Sequence, residues 1–208
     1  MSEPLGADGA YFLYRVQRGD TLSALATRYM GGGEASYRVL RRYNPMANHA
    51  RIVPGAVLRI PFASIPVAAS MVQVVHAHDA ATADHTPIQA GTKLPESATI
   101  ETGAKGSVTL QFDDFTRVSA GPNTRVALAR VRSFVQTRLI DVRLHLDKGE
   151  VESIVSPTKS GVGRYEISTP NLVTGVRGTR FRVQTQGGIS TASVLEGEVS
   201  AATAHSSR

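Results

Sequence analysis

The stretch from Tyr14 to Tyr29 constrains the fold of this chain more than any other part of its sequence. Tyr14 and Val16 alternate with polar residues, which is the period of a half-buried β-strand. The alternation stops at Gly19. Asp20 then occupies the position of a helix N-cap, where its carboxylate can accept hydrogen bonds from free backbone N–H groups. Apolar residues follow at the spacing of one helical face: Leu22, Leu25, Ala26 and Tyr29.

A second helix and a closing strand complete this module. Ser36 is the predicted N-cap of the second helix, and Asn44 ends it before Pro45, which cannot continue a helix. The residues predicted to face inward are Val39, Leu40 and Tyr43. The residues predicted on the exposed face are Arg38, Arg41 and Arg42. With a strand at 57–61, the order strand, helix, helix, strand predicts two helices that cover a strand pair.

Residues 14–61 resemble a LysM domain. The resemblance is carried by the Tyr-x-Val strand, the Gly-Asp-Thr-Leu turn, the Leu/Ala helix, the asparagine that ends the second helix, and the Pro-Gly before the closing strand. It implies a βααβ fold that binds N-acetylglucosamine-containing glycans such as peptidoglycan or chitin. The sequence departs from the family at residues 31–35, a glycine-rich segment that predicts a longer and looser link between the helices.

The resemblance also implies where a glycan would bind. In LysM domains the sugar lies between the loop that follows the first strand and the loop that precedes the last strand. Backbone groups at tight turns can approach a sugar ring, while Ile52 and Val53 offer apolar contact. The residues implied in binding are Gly19, Asp20, Thr21, Leu22, Asn44, Arg51, Ile52, Val53 and Pro54. The alternative is that these residues only cap and pack the module, as Asp20 would do with or without a ligand.

The sequence pattern changes after residues 63–70, which contain a proline, small residues and no helical period. Short alternating stretches follow, and the clearest is 140–146, with Asp141, Arg143 and His145 opposite an apolar face. Many short strands between turn signals predict an all-β domain, as a sandwich, barrel, roll or β-solenoid-like structure. A Gly-Glu-Val sequence occurs at 149–151 and at 197–199, which predicts two equivalent hairpins rather than a repeat array.

This second part of the chain resembles a FecR domain. The specific feature is a Thr-Pro pair followed by Val-Arg-Gly-Thr-x-Phe, and looser similarity extends over about residues 70–203. The motif residues are Thr169, Pro170, Val176, Arg177, Gly178, Thr179 and Phe181. Gly175 and Gly178 predict a tight turn in which Arg177 pairs with a carboxylate or with carbonyl groups.

The FecR resemblance implies an all-β periplasmic domain. In the iron-uptake regulators of that family, it relays a signal from an outer-membrane receptor to a sigma factor. The cytoplasmic N-terminal arm and the transmembrane helix of those regulators are not seen in this sequence. We therefore do not extend the anti-sigma role to this chain.

The composition of the chain excludes some kinds of functional site and makes others improbable. The absence of cysteine rules out disulfides, thiol nucleophiles and zinc–cysteine sites. A net charge of +6 suits anionic polymers, but no aromatic-rich sheet motif or recognition helix accompanies it, so no nucleic-acid partner is predicted. A cluster of His76, His78, Asp79 and His85 could hold a metal. A peptidoglycan metallopeptidase would need a further His and Asp upstream with a matching spacing, and none is found, so an exposed strand edge is favoured.

No motif organises the hydroxyl residues into a nucleophile site, and Asp113-Asp114 is interpreted as a hairpin turn rather than a paired acid and base. We therefore expect no enzyme activity, no cofactor and no metal. The predicted function is non-catalytic: the LysM module binds peptidoglycan or a related polymer, and the FecR-like domain meets an envelope protein or senses the envelope. The alternative is a signalling component whose FecR-like domain contacts an envelope receptor or sensor while the LysM module only positions it.

The predicted fold class is α+β, with a small βααβ module before a larger all-β domain. The predicted segments are a disordered lead at 1–10, the LysM domain at 11–62, a linker at 63–70, the FecR-like domain at 71–203 and a disordered tail at 204–208. No run of eighteen apolar residues and no signal peptide are visible, so no membrane span is predicted. We expect a periplasmic or cell-envelope protein, in a mature or trimmed form, rather than a cytosolic one.

Overall fold

The computed structural model describes residues 4–8, 11–45, 52–137, 139–155 and 163–203. The chain forms two compact units. The first unit contains Met1–Ala68 together with Ser133–Leu139, and the second contains Ala69–Arg132, Ile140–Pro157 and Arg164–Arg208. The helices in the described part of the chain are too short and too polar to cross a membrane.

The first unit contains a three-stranded antiparallel sheet in the order β1-β2-β3 and two helices. Its elements are β1 (Pro4–Asp8), β2 (Tyr11–Arg15), α1 (Leu22–Met30), α2 (Gly33–Tyr43) and β3 (Val57–Pro61), followed by a 3-10 turn (Phe62–Ser64). The predicted βααβ order is confirmed. The lead predicted as disordered contains β1, because the free edge of β2 provides its backbone with hydrogen-bond partners.

The first helix begins one residue later than predicted from the sequence. Thr21, not Asp20, is the N-cap of α1, and its Oγ1 accepts a hydrogen bond from the Ala24 N–H at 3.1 Å. The prediction for Asp20 was wrong because its carboxylate closes the preceding turn instead, by accepting from the Gln17 N–H.

The second helix begins earlier than predicted. It starts at Gly33 with Gly32 as the N-cap, and Ser36 lies within its first turn, where its hydroxyl donates to the Met30 carbonyl at 3.1 Å. The link between the helices is therefore only Gly31 and Gly32, and the prediction of a long, loose link was wrong. The glycines that suggested a loose link instead allow a tight connection, since all three have positive φ.

The core of the first unit contains a group of aromatic rings among aliphatic side chains. The Tyr29 ring lies 5.3 Å from the Phe12 ring and 5.5 Å from the Tyr14 ring, measured between centroids. The predicted apolar face of α1 is confirmed as buried: Leu22, Leu25, Ala26 and Tyr29. On α2, Leu40 is buried, but Tyr43 is 40% exposed, and that inward prediction was wrong. The predicted exposed face of α2 is confirmed: Arg38, Arg41 and Arg42.

Two residues of this core come from a distant part of the chain. Phe134 and Leu139, 3% and 1% exposed, belong to the same buried cluster as the LysM-like elements. The Phe134 ring lies 4.5 Å from the Phe62 ring, and the Val135 N–H donates to the Pro66 carbonyl at 2.9 Å. The predicted segments assign these residues to the all-β domain. Here they are part of the first unit, because their apolar side chains fill its core.

After the helical turn, the described residues are all-β, as predicted. The strands are β4 (Val67–Ala69), β5 (Val72–His78), β6 (Ala81–Ala83), β7 (Thr86–Pro87), β8 (Lys93–Leu94), β9 (Thr99–Thr102), β10 (Ser107–Gln111), β11 (Arg117–Ala120), β12 (Arg125–Phe134), β13 (Leu139–Ile154), β14 (Arg164–Ser168), β15 (Leu172–Gln186) and β16 (Ile189–Thr203). The main strand order is β7-β6-β9-β12-β13-β11-β10-β5-β8. β14 is parallel to β13 and antiparallel to β15, which also pairs with β16.

The two Gly-Glu-Val segments do not mark two equivalent hairpins, and that prediction was wrong. Gly149 lies inside the continuous strand β13, and the second Gly-Glu-Val lies inside β16. A Cβ at Gly149 would lie 2.5 Å from Thr124 Cα, so the glycine permits close contact between two backbones. Residues 175–178 also belong to a continuous strand, β15, whose register against β16 shifts between Arg177 and Phe181.

Candidate functional site

The predicted binding loops lie side by side at one end of the β2–β3 pair. Arg15 pairs with Val57 in the antiparallel register. Beyond that pair, the Val16 N–H donates to the Ala56 carbonyl and the Gly55 N–H donates to the Val16 carbonyl, both at 2.8 Å. The loop at 17–21 and the loop at 52–56 therefore leave from adjacent strand ends.

Both loops contain a tight turn with glycine at the third position. The Asp20 N–H donates to the Gln17 carbonyl at 3.2 Å, and the Ala56 N–H donates to the Val53 carbonyl at 3.0 Å. Gly19 and Gly55 have φ values of 93° and 88°, as the third residue of a type II turn requires. A side chain at either position would strain the turn, so the glycines fix the loop shape.

Asp20 is held in place by two hydrogen bonds. Its Oδ2 accepts from the Gln17 N–H at 2.7 Å and from the Tyr14 hydroxyl at 2.6 Å. Because Oδ2 accepts both bonds, the main structural effect of the Asp20 carboxylate is to fix the first loop against the core. Sequence reasoning missed the Tyr14 contact, since no local pattern links a strand tyrosine to a turn six residues later.

The remaining loop residues divide into exposed surface and buried support. Leu22 is 4% exposed, and Ile52 is half-buried and packs against the core. The exposed residues are Gly19, Thr21, Val53 and Pro54, and Val53 is 69% exposed. Arg51 lies outside the described residues. The exposed members provide backbone groups, one hydroxyl and two apolar side chains.

Asn44 has a structural use for nearly all of its hydrogen-bonding capacity. Its Nδ2 donates to the Leu40 carbonyl at 2.7 Å and to the Arg59 carbonyl at 2.9 Å. Its Oδ1 accepts from the Arg59 N–H at 2.8 Å. The side-chain amide thus bonds the edge of β3 as another strand would, while it ends α2. With only 8% of its surface exposed, Asn44 supports the module rather than offering a free polar group.

Cationic groups accompany the loops. The Arg15 guanidinium donates to the Gly55 carbonyl at 3.2 Å, which ties the first strand to the second loop. The Arg28 guanidinium lies 5.2 Å from the centroid of the Tyr29 ring. Burial raises the pKa of the Tyr29 hydroxyl, Arg28 opposes the shift, and Asp20 adds to it. Tyr29 therefore stays neutral as part of the core beneath the loops.

The FecR-like motif residues are structural where their side chains are described. Thr169 is buried, and its Oγ1 accepts from the Leu172 N–H at 3.0 Å across the turn between β14 and β15. Pro170 is exposed in that turn. The Phe181 ring is fully buried and meets the Tyr165 ring edge-on at 6.1 Å. The side chains of Val176, Arg177, Gly178 and Thr179 lie outside the described part of the structure.

A Ser, His and Asp arrangement occurs in the second unit without any sequence motif to indicate it. His145 Nδ1 lies 3.0 Å from Ser168 Oγ, and its Nε2 lies 3.2 Å from Asp147 Oδ1. The parallel register of β13 and β14 places His145 opposite Ser168. The Ser168 hydroxyl also lies 3.1 Å from the Leu144 carbonyl, to which it can donate. These contacts bridge β13 and β14.

The histidine-rich stretch shows no metal-like geometry. His78 Nδ1 lies 3.5 Å from Asp79 Oδ2, and both side chains are more than half exposed. Within the described residues, no three side chains of His, Asp or Glu are grouped closely enough to hold a metal ion.

Two family models match this chain. Residues 14–61 match the model described as LysM domain, and residues 98–200 match the model described as FecR protein. The chain carries a LysM domain followed by a FecR-like region. The predicted identity and order of the two parts are thereby confirmed. No curated protein and no solved structure matches the chain. A LysM domain indicates glycan binding, and a FecR-like region indicates a role related to signalling.

Proposed function

We propose that this protein is a non-catalytic cell-envelope protein that binds peptidoglycan through its LysM loops. The LysM domain holds the chain on N-acetylglucosamine-containing glycan, and the FecR-like region presents a β surface to an envelope protein or senses the state of the envelope. A periplasmic location suits both parts, because peptidoglycan and the partners of FecR-like domains are found there.

The observation that carries this proposal is the pairing of the two exposed turns. Gly19, Thr21, Val53 and Pro54 are exposed on adjacent loops, and both loops are fixed by backbone hydrogen bonds. A preformed surface of this kind can bind a sugar without an ordering cost in the loops. We propose Gly19, Thr21, Val53 and Pro54 as contacts, Asp20, Leu22 and Ile52 as their support, and Arg51 as a further contact. Asn44 is left out of the contact set because its amide is used by the fold.

The chemistry at this surface favours modest affinity. Turn backbones supply hydrogen bonds to the N-acetyl and hydroxyl groups, and Val53 and Pro54 pack against the apolar face of the sugar ring. A shallow surface buries little area, so a single module binds weakly. Retention on an insoluble polymer is stronger because the polymer presents many copies of the same sugar, which raises the effective concentration.

A pull-down with insoluble peptidoglycan tests the proposal on the whole chain. We expect Val53→Glu to abolish most sedimentation with the wall, because it places a charge and a longer side chain where the sugar would pack. Val67→Glu is the matched control, since Val67 is also an exposed valine, 41% exposed, but lies outside both loops. We expect the control to sediment as the native chain does.

Two results would contradict this function. If Val53→Glu and native protein sediment equally, the loops are not the binding site. If added salt releases the native chain completely, the net charge of +6 accounts for retention rather than sugar recognition.

A further inference from the structure

The turn between β10 and β11 presents an aromatic side chain to solvent in an unusual backbone conformation. Phe115 is 69% exposed and has a φ of 67°, which bulky residues rarely adopt. The turn is closed by two hydrogen bonds, from the Phe115 N–H to the Phe112 carbonyl at 3.0 Å and from the Phe112 N–H to the Thr116 carbonyl at 2.9 Å. Folding alone would favour glycine or asparagine at this position.

A buried carboxylate holds this turn in shape. Asp114 is 6% exposed and accepts from the Thr116 N–H at 2.9 Å and from the Thr116 hydroxyl at 3.0 Å. Phe115 is therefore displayed on a rigid support. A strained residue kept in place by its surroundings is a typical feature of functional sites.

Next to this turn, four polar side chains form a row across four neighbouring strands. The register pairs Arg117 with Gln111, Gln111 with Gln73, and Gln73 with Lys93. Residues paired in register share a face of the sheet. The row lies opposite the buried face to which Leu110 and Val74 belong.

The centre of the row is neutral and available to a ligand. Arg117 Nε donates to Gln111 Oε1 at 3.1 Å. This bond uses the oxygen of the Gln111 amide and does not involve its NH₂ group. The side chains of Gln73 and Lys93 have no hydrogen-bond or ion-pair partner among the described residues. Both are exposed.

The row and the turn meet in a cleft. Phe115, Met71, Gln73, Lys93 and Gln111 line a cleft of about 490 Å³. Met71 is 45% exposed, so the cleft combines two exposed apolar side chains with two amides and an ammonium group. The Ser70 hydroxyl donates to the Asp113 carboxylate in the same wall, so that this acid is already engaged.

We propose that this cleft on the FecR-like region is a second saccharide-binding site. The C–H face of a sugar ring would pack on the Phe115 ring, and the amides of Gln73 and Gln111 would both donate to and accept from its hydroxyl or N-acetyl groups. Lys93 would meet a hydroxyl or carboxylate at the end of the row. An acidic peptide fits less well, because neutral amides separate the two cations and Arg117 is shared with Gln111. The choice of N-acetylglucosamine glycan as the ligand rests on the proposed function of the LysM loops.

The native chain contains no tryptophan, which allows a direct test at the site. The variant Phe115→Trp places a single indole on the turn of the full chain. We expect a soluble N-acetylglucosamine oligosaccharide to shift and saturate its emission, because stacking removes water from the ring. Ile189→Trp is the matched control, since Ile189 is 70% exposed on another hairpin. Its emission is expected to stay unchanged.

Loss of binding is tested separately. Phe115→Asn keeps a residue that tolerates this φ, and Gln73→Ala removes one amide. We expect each substitution to lower the affinity of the chain for insoluble peptidoglycan about fivefold, as measured by sedimentation. This corresponds to a loss of about 1 kcal/mol of binding free energy.

The outcomes separate this site from the LysM loops. If oligosaccharide leaves the Phe115→Trp emission unchanged while Val53→Glu still abolishes sedimentation, the cleft proposal is refuted and the LysM proposal stands. If the emission shifts but Val53→Glu has no effect on sedimentation, the LysM proposal is refuted and the cleft proposal stands. If an acidic peptide shifts the emission and the oligosaccharide does not, the cleft is a peptide site and the saccharide proposal is wrong.

Discussion

Replacing Phe134 with alanine tests whether a segment distant in sequence completes the core of the LysM domain. Phe134 is 3% exposed, and its ring lies 4.5 Å from the Phe62 ring. Truncating a buried phenylalanine to alanine costs about 3–5 kcal/mol, and the ring pair contributes about 0.5–1.5 kcal/mol of that. We expect Phe134→Ala to lower the free energy of unfolding of the first unit by about 3–4 kcal/mol. A domain of this size is stable by only about 5–15 kcal/mol, so the change is large.

Tyrosine emission during urea unfolding measures this effect. Five of the six tyrosines lie in the first unit, at 11, 14, 29, 37 and 43, and Tyr165 lies in the second. The signal therefore reports mainly on the LysM domain. Phe181→Ala is the matched control, because Phe181 is fully buried in the second unit. It removes the same ring from a different core.

The result that would refute this reasoning is specific. If Phe134→Ala moves the tyrosine transition no further than Phe181→Ala does, then residue 134 does not stabilise the first core. A double-mutant cycle of Phe62→Ala with Phe134→Ala adds a second check. The two ring truncations should be non-additive by about 0.5–1.5 kcal/mol if the rings are in contact.

Three other substitutions test separate features of the second unit. Burial raises the pKa of the Asp114 carboxyl above its ordinary value of 3.8, so the stability it contributes is complete below that value and is lost as pH rises through the folded pKa. Asp114→Asn should remove this loss of stability at higher pH, so the free energy of unfolding should vary less with pH than in the native chain. Gly149→Ala should lower the melting temperature by at least the equivalent of about 1–3 kcal/mol, because φ is 91° and the new Cβ would meet Thr124; an unchanged melting temperature would contradict this. Phe115→Gly should raise stability by up to about 1 kcal/mol in thermal unfolding while saccharide binding falls, and a loss of stability would show that the conformation is not strained.

The parts of the fold that were predictable depend on short-range patterns. The strand and helix around Tyr14 and Leu25 follow from spacings of two, three and four residues, which the backbone geometry fixes locally. The two turns with Gly19 and Gly55 could also be recognised in the sequence, because a positive φ restricts the choice of residue. The predicted binding loops came together for this reason, since antiparallel strands place their connecting loops at the same end.

The parts that were missed depend on contacts between residues far apart in the sequence. Nothing near Phe134 indicates that its ring fills a core built from the N-terminal elements. Gly149 resembled a turn glycine, because the same positive φ serves a turn or a close approach to Thr124, and only the tertiary structure distinguishes them. The hydrogen bonds from the Asn44 amide to the backbone of Arg59 were also missed, because the two residues lie 15 positions apart in the sequence.

Because the first unit is built from separate parts of the chain, the proposed binding site has to be tested in the full chain. The proposed glycan-binding loops rest on a core that includes Phe134 and Leu139, so residues 1–64 alone lack part of the packing that fixes those loops. A fragment that fails to bind the wall would therefore report lost stability as readily as lost recognition. Substitutions at exposed positions such as Val53 and Phe115 avoid this ambiguity, because they leave the core intact. These substitutions also test whether the chain has one glycan-binding site or two. If both sites hold the same glycan, Phe115→Asn should weaken retention on insoluble peptidoglycan more than it weakens oligosaccharide binding at the LysM loops, since only a polymer can occupy both sites at once.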